Sequence, residues 1–232
     1  MENMPNSRTI TRKKPAGGRK ASPPIVLLAD DHKLLAEGLQ SLLSPEFKVA
    51  EIVEDGRMLL NANLRLKPDV VITDISMPNL NGIDAIRELK RNTPSVRVIV
   101  LTMHSDVDYV IEAFEAGANG YVLKSAAAAE LADAIRSVMK GERYLTASLE
   151  NKLAPPLQAS GTNPWKALSA RERQVLQLLA EGRIAKEIGA ILGVSKKTAE
   201  FHKYRLMEKL RLRTVAELAR YAAKRGIVGS GT

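Results

Sequence analysis

Between residues 25 and 139, five short apolar runs alternate with five stretches of helical spacing. The runs are 25–29, 48–53, 70–73, 96–101 and 120–123. The helical stretches are 34–43, 58–64, 83–91, 107–116 and 126–139. Strands separated by helices in so little chain are joined by crossovers, and crossovers make neighbouring strands parallel. Most of the runs are apolar throughout rather than at every second position, as expected of strands buried on both faces. The pattern therefore predicts an α/β domain, a doubly wound parallel sheet of (βα)5 type.

In open parallel sheets, ligands bind outside the carboxyl ends of the strands. Those ends carry Asp30 and Asp31 after the first run, Asp74 after the third, Thr102 after the fourth and Lys124 after the fifth. Each residue alone has an ordinary explanation, because an aspartate after a strand often caps a helix and a terminal lysine is often a solvated charge. Together they would bring three carboxylates, a hydroxyl and an ammonium to one crevice. That set suits a hard divalent cation, Mg²⁺ or Mn²⁺, and transfer of a phosphoryl group to a carboxylate. Asp74 is the expected acceptor. Asp31 is the expected direct metal ligand beside it, Asp30 acts through water, and the Ser76 carbonyl adds an oxygen. Lys124 pairs with the phosphoryl group as a point charge, and Thr102 donates a hydrogen bond to it.

Charge is distributed unevenly over the 232 residues. Residues 1–24 carry +5, residues 25–164 carry −5 and residues 165–232 carry +9, within a total of +9. A basic C-terminal segment behind an acidic domain suggests a nucleic-acid-binding module. The chain has no cysteine, which fits a reducing compartment and excludes disulfides and thiolate metal sites. No apolar stretch reaches the roughly 18 residues that span a bilayer. The expected location is cytoplasmic, with no membrane partner.

Four segments follow. Residues 1–24 read as a disordered basic arm, 25–140 as the phosphoacceptor domain and 141–164, with its prolines, as a linker. Residues 165–228 read as a small all-α four-helix domain. Within the last, Ser169 with Glu172 and Thr214 with Glu217 form capping-box pairs, and Ser195 opens a third helix. The helices 185–192 and 195–210 are separated only by Gly193 and Val194, which is helix-turn-helix spacing. On the second of them, Ala199, His202, Leu206 and Leu210 form the core-facing stripe. Lys196, Lys197, Glu200, Phe201, Lys203 and Tyr204 lie largely off it, as suits a major-groove recognition helix.

Residues 25–140 resemble the receiver domain of bacterial response regulators. The resemblance rests on Asp30 and Asp31, Asp74 within D-I-S-M-P-N-L-N-G, Thr102, and Lys124 in G-Y-V-L-K. It implies a flavodoxin-like fold, phosphotransfer from a phosphohistidine of a cognate sensor histidine kinase, and self-dephosphorylation, with no conventional enzyme activity. By position, Tyr121 matches the family's switch aromatic, which turns inward when Thr102 is drawn to the phosphoryl group. Ser76 and His104 flank the route of the hydrolytic water and tune dephosphorylation.

The C-terminal segment resembles the LuxR-type helix-turn-helix, through L-S-A-R-E-R-Q-V-L (168–176), K-E-I (186–188), S-K-K-T-A-E-F-H (195–202) and M-E-K-L (207–210). The two together give the NarL/FixJ class of response regulator. The resemblance implies that Lys186, Ser195, Lys196, Lys197, Thr198 and Lys203 approach phosphates of double-stranded DNA. Glu200, Phe201 and Tyr204 then face bases. Glutamate at 200, where several relatives carry lysine, favours acceptance from a cytosine amine, and Phe201 suits a thymine methyl. The last helix, with Val215, Leu218, Ala219 and Ala222, would carry the contact of a homodimer formed on phosphorylation. Its apolar spacing fits packing within its own domain equally well. In the inactive state the receiver would cover the recognition helix.

Three other readings remain at this point. An aspartate-nucleophile phosphatase usually places a second acid two residues after the nucleophile, where this chain has Ser76. A phosphorylation-independent DNA-binding regulator would use its receiver only for protein interaction. The helices of an interaction-only receiver would bind RNA or protein.

Overall fold

The structure is a computed structural model that describes residues 22–153 and 168–228. Strands β1 (Ile25–Ala29), β2 (Lys48–Val53), β3 (Val70–Thr73), β4 (Arg97–Thr102) and β5 (Gly120–Leu123) alternate with helices α1 (Lys33–Leu43), α2 (Gly56–Leu66), α3 (Gly82–Asn92), α4 (Val107–Ala116) and α5 (Ala127–Met139). A two-residue strand β6 (Tyr144–Leu145) and a short helix α6 (Ala147–Leu153) follow. The sheet runs β2-β1-β3-β4-β5-β6 with every pair parallel.

Two apolar layers explain the unbroken strand runs. Leu27 and Ala29 of β1, with Val98 and Val100 of β4, face a layer built from α2, α3 and α4 through Leu59, Ile86, Leu89 and Val110. Val26 and Leu28, with Ile99 and Leu101, face α1 and α5 through Leu39, Leu43, Leu131 and Ile135. Successive side chains point to opposite faces, so burial on both sides demands apolar residues at every position. Each fully buried aliphatic side chain contributes about 1.5–3 kcal/mol.

The α/β domain does not end at residue 140, and residues 141–153 are not linker. β6 pairs with β5, Gly120 against Tyr144 and Tyr121 against Leu145. The Thr146 amide donates to the Tyr121 carbonyl at 3.0 Å, and its hydroxyl accepts from the Leu123 amide at 3.0 Å. Leu149 of α6 is 1% exposed within the α2–α4 layer. A two-residue strand has no periodicity to read, and Gly141 looks like the end of a domain when it only ends α5. Residues 154–164 of the expected linker, and all but the last three residues of the basic arm, lie outside the described residues.

The second domain comprises α7 (Ala170–Ala180), α8 (Ala185–Leu192), α9 (Lys196–Leu210) and α10 (Val215–Lys224). Both expected capping boxes form at Ser169 and Thr214, and the Ser195 side chain accepts from the Thr198 amide. The core joins Val175, Leu176 and Leu179 of α7 to Ile188, Leu192, Ala199, Leu206, Leu218 and Ala222.

The domains meet along α7 and the end of α10, which rest on the loop between β3 and α3. Gln177 is central. Its Oε1 accepts from the Asn81 backbone amide at 2.8 Å and from Asn81 Nδ2 at 3.1 Å, and its Nε2 donates to the Met77 carbonyl at 2.7 Å. Glu181 accepts from the Asn79 amide at 3.0 Å. Arg173 Nε donates to Asp84 Oδ1 at 2.9 Å, and Asp84 in turn pairs with Arg87, which reaches Glu112 of α4. The expected covering of α9 by the α/β domain is not seen, since Phe201 and Tyr204 on α9 are 55% and 64% exposed.

Candidate phosphoacceptor site and DNA-reading helix

The strand order reverses direction between β1 and β3, so their carboxyl ends flank a crevice. Asp30 and Asp74 are the residues that immediately follow those strands. The Asp74 amide is held by the Ala29 carbonyl at 2.9 Å, and the Asp30 amide by the Val53 carbonyl at 2.9 Å. Lys124 arrives from the end of β5. Its Nζ lies 2.7 Å from Asp74 Oδ2 and 2.8 Å from Asp30 Oδ2. Asp74 Oδ1 accepts from the Ile75 amide at 2.6 Å.

One ammonium serving two buried carboxylates leaves negative charge in excess. Burial pushes the Asp74 carboxyl above its ordinary range, further than Lys124 draws it down, and Asp30 adds to the rise. Burial works against the Lys124 charge, but Asp74 and Asp30 outweigh it and hold the ammonium above its usual value. Such a site gains from a second cation.

Ligand oxygens of Asp30, Asp31 and Asp74 and a ring nitrogen of His32 all lie within 4.8 Å of one another. Asp30 Oδ2 is buried without an aligned hydrogen bond, while the Asp31 side chain is 33% exposed. A hard, oxygen-rich donor set, with two buried carboxylates sharing one ammonium and a third that is accessible, fits a magnesium-like ion that keeps part of its water. The sequence reading missed His32, whose Nδ1 lies 2.9 Å from Asp31 and 3.1 Å from Asp30. Its adjacency to the acidic pair was the available signal.

Thr102 is fully buried at the end of β4, and its hydroxyl accepts from the His104 amide at 3.3 Å. Tyr121 points into the protein, and its hydroxyl donates to the His104 carbonyl at 2.8 Å. The His104 ring stacks on Tyr109 with centroids 4.6 Å apart. Burial lowers its affinity for a proton. Ser76 Oγ lies 3.0 Å from His104 Nε2 and 2.6 Å from the carbonyl oxygen of Gly226, in the second domain.

On the second domain Lys196, Lys197 and Lys186 are exposed, as are Ser195, Phe201 and Tyr204. Thr198, Glu200 and Lys203 are half-buried, and Lys196 lies 3.7 Å from Glu200. Lys203 sits over the Tyr204 ring, and Arg205 over the Phe201 ring at 5.7 Å. Arg205 belongs to this surface and was missed, though its i, i+4 spacing from Phe201 was readable. On α10, Leu218 and Ala222 are fully buried against their own domain. They are core residues and not an open dimer contact, while Val215 and Ala219 stay accessible.

The sequence comparisons decide what this pairing of domains is. The family model described as the response regulator receiver domain matches residues 26–136. That for bacterial regulatory proteins of the luxR family matches residues 166–222. The chain is a response regulator of the LuxR family.

Among its relatives, MctR of Rhizobium johnstonii is 37% identical over 205 residues, 88% of this chain and 94% of that one. LiaR of Bacillus subtilis is 37% identical over 207 residues, 88% and 98%. Both are described as transcriptional regulatory proteins. RcsB of Salmonella typhimurium superposes with a TM-score of 0.62 at 31% identity, over 89% of this chain and 98% of that one. An RcsB–DNA complex gives 0.54 at 31%, over 87% and 98%. The response regulator thus joins a parallel-sheet receiver to a LuxR-type DNA-binding domain. Among its described residues no helix is long and apolar enough to cross a membrane.

Proposed function

We propose that Asp74 of this response regulator is phosphorylated by a sensor histidine kinase and that the modification controls binding of α9 to double-stranded DNA. The observation that carries the reading is Lys124 Nζ held between Asp30 and Asp74, at 2.8 and 2.7 Å, beside the accessible Asp31. Asp74 attacks the phosphorus of the kinase phosphohistidine, the P–N bond breaks, and the imidazole leaves with that electron pair. Lys124 neutralises the transferred group, and Thr102 donates a hydrogen bond to it. Asp30, Asp31 and Asp74, with the Ser76 carbonyl, would hold Mg²⁺ or Mn²⁺, which supplies charge neutralisation for the phosphoryl oxygens. Water later attacks phosphorus and the carboxylate leaves, with Ser76 and His104 lining its route. Tyr121 is the switch aromatic.

On DNA, Lys196, Lys197 and Lys203 of α9 with Ser195, Thr198 and Lys186 contact phosphates, while Glu200, Phe201 and Tyr204 read bases. The modified protein acts as a homodimer, with Val215 and Ala219 of α10 at the contact, in the cytoplasm. The test is DNA affinity of the wild type and Asp74→Asn, each with Mg²⁺ and acetyl phosphate, across a salt series. The donor tightens binding by the wild type alone, and both lose affinity with salt as phosphate contacts require. Equal binding with and without donor would favour a second reading, DNA binding independent of phosphorylation, to which the uncovered Phe201 and Tyr204 lend support.

A further inference from the structure

The second domain meets the receiver at the rim of the phosphoacceptor site. Gly226 ends α10 in a left-handed turn, with φ of +54°. Its carbonyl oxygen accepts from Ser76 Oγ at 2.6 Å, and a Cβ built on it would stand 2.1 Å from the His104 ring. Ser76 and His104 lie two residues beyond Asp74 and Thr102. The Ser76 hydroxyl has one proton, which goes to Gly226, so its 3.0 Å contact with His104 Nε2 places the imidazole proton on Nε2. The result is a directed chain from His104 through Ser76 to the Gly226 carbonyl. His104 is also fixed from behind by Tyr109 and by the Tyr121 hydroxyl.

The seal around this turn is tight. Between it and the receiver, a cavity of about 10 Å³ lined by Ile75, Asn81, Ile83, Tyr109, Glu112 and Arg225 remains, room for one water at most. Gly226 and Ile227 are themselves buried. Next to the Ser76 and His104 contacts, the Asp74 and Lys124 side chains are 5% and 6% exposed.

From this geometry we infer that the Arg225–Gly226–Ile227 turn is a plug. Seated on Ser76 and His104, it makes the DNA-binding domain a gate on the chemistry of Asp74, slowing both gain and loss of the phosphoryl group. The inference rests on Asp74 being the acceptor. A gate acts on both directions because donor and hydrolytic water need the same opening. Gly226 is then a positioning residue whose carbonyl accepts the Ser76 hydrogen bond and whose missing side chain lets His104 close over it. By linkage, a phosphoryl group that disfavours docking is itself disfavoured by docking.

The test uses the full chain with Mg²⁺ and acetyl phosphate, following label on Asp74 during uptake and after donor removal. Gly226→Asn keeps a residue that tolerates the left-handed conformation but collides with His104. Gln177→Ala loosens the same interface without touching Ser76 or His104. Both variants gain and lose label faster than the wild type. If docking occupies roughly nine-tenths of the molecules, the factor is about ten.

The chain has no cysteine of its own, so Asp108→Cys with Arg225→Cys, positions whose native guanidinium and carboxylate meet at 3.8 Å across the junction, permits linking with a bifunctional thiol reagent that spans the two missing side-chain lengths. The cross-linked form is slower in both directions than the same protein before linking. If the wild type labels at Asp74 but cross-linking and both substitutions leave the rates alone, the plug is refuted and the phosphoacceptor stands. A change confined to Gly226→Asn also overturns the gate, because it marks a local effect on Ser76. Equal labelling of wild type and Asp74→Asn overturns the acceptor assignment and the plug with it.

Discussion

Replacing one glycine with alanine should cripple the receiver, and the same change at another should strengthen it. Gly82 opens α3 directly behind Asp74. A Cβ there would stand 1.9 Å from the Asp74 carbonyl oxygen and 2.9 Å from its carbon. Real contacts of this kind essentially never fall under 3.0 Å, so one backbone must retreat by about 1 Å. Neither is free to do so. The Gly82 amide is tied to the Ile75 carbonyl at 2.9 Å, and the Asp74 amide is held in the β1–β3 ladder. Overpacking of this kind costs about 3 kcal/mol, the upper end of the usual range. For a domain of this size that lowers the melting temperature by roughly 10 °C.

Gly38 lies within α1 and has no heavy atom within 4 Å of a built Cβ. Alanine there gains about 0.8–1 kcal/mol of helix propensity, or roughly 3 °C. Thermal and urea unfolding followed by circular dichroism measure both. Gly82→Ala should also slow labelling of Asp74, since the displaced peptide carries the proposed acceptor. A Gly82→Ala protein within about 1 kcal/mol of wild type, or two variants shifted in the same direction, would refute the close-approach argument.

Two further outcomes follow from the site and the revised boundary. The folded state holds the Asp74 proton more tightly than the unfolded chain does. Stability is therefore lost as pH rises from the ordinary carboxylate value through the raised one. Without metal, Asp74→Asn should unfold at higher urea than wild type at neutral pH, with the gap closing in acid; equal midpoints would mean that Lys124 fully offsets burial. Leu149→Ala should cost about 2–5 kcal/mol, as for a packed leucine, and a loss under about 0.5 kcal/mol would return residues 141–153 to the linker.

The first five strands and the nine helices from α1 to α5 and α7 to α10 were legible because each repeats its burial over several residues. Asp30, Asp74, Thr102 and Lys124 were legible because strand ends are where a parallel sheet places its ligands. β6 and α6 were not, since Tyr144, Thr146 and Leu149 are held by partners more than 20 residues away in sequence rather than by local pattern. The docking residues were hidden for a related reason. Gln177 and Arg173 sit on a helix whose spacing explains only its own core, and nothing near them announces Asn81 or Asp84. Leu218 and Ala222 show the reverse failure, because one apolar stripe serves a core or a partner equally well and only packing decides.

The two tasks of the second domain are carried by separate surfaces. On the proposed reading α9 holds the side chains that face DNA, while α7 and the turn after α10 hold those that face the receiver. If Glu200, Phe201 and Tyr204 read bases as proposed, a gene copy can change them, and with them the promoter it recognises, without disturbing Gln177, Arg173 or Gly226. It can equally retune its response to signal while keeping its targets. Paralogues built on this plan are free to diverge in regulon and in sensitivity along independent lines.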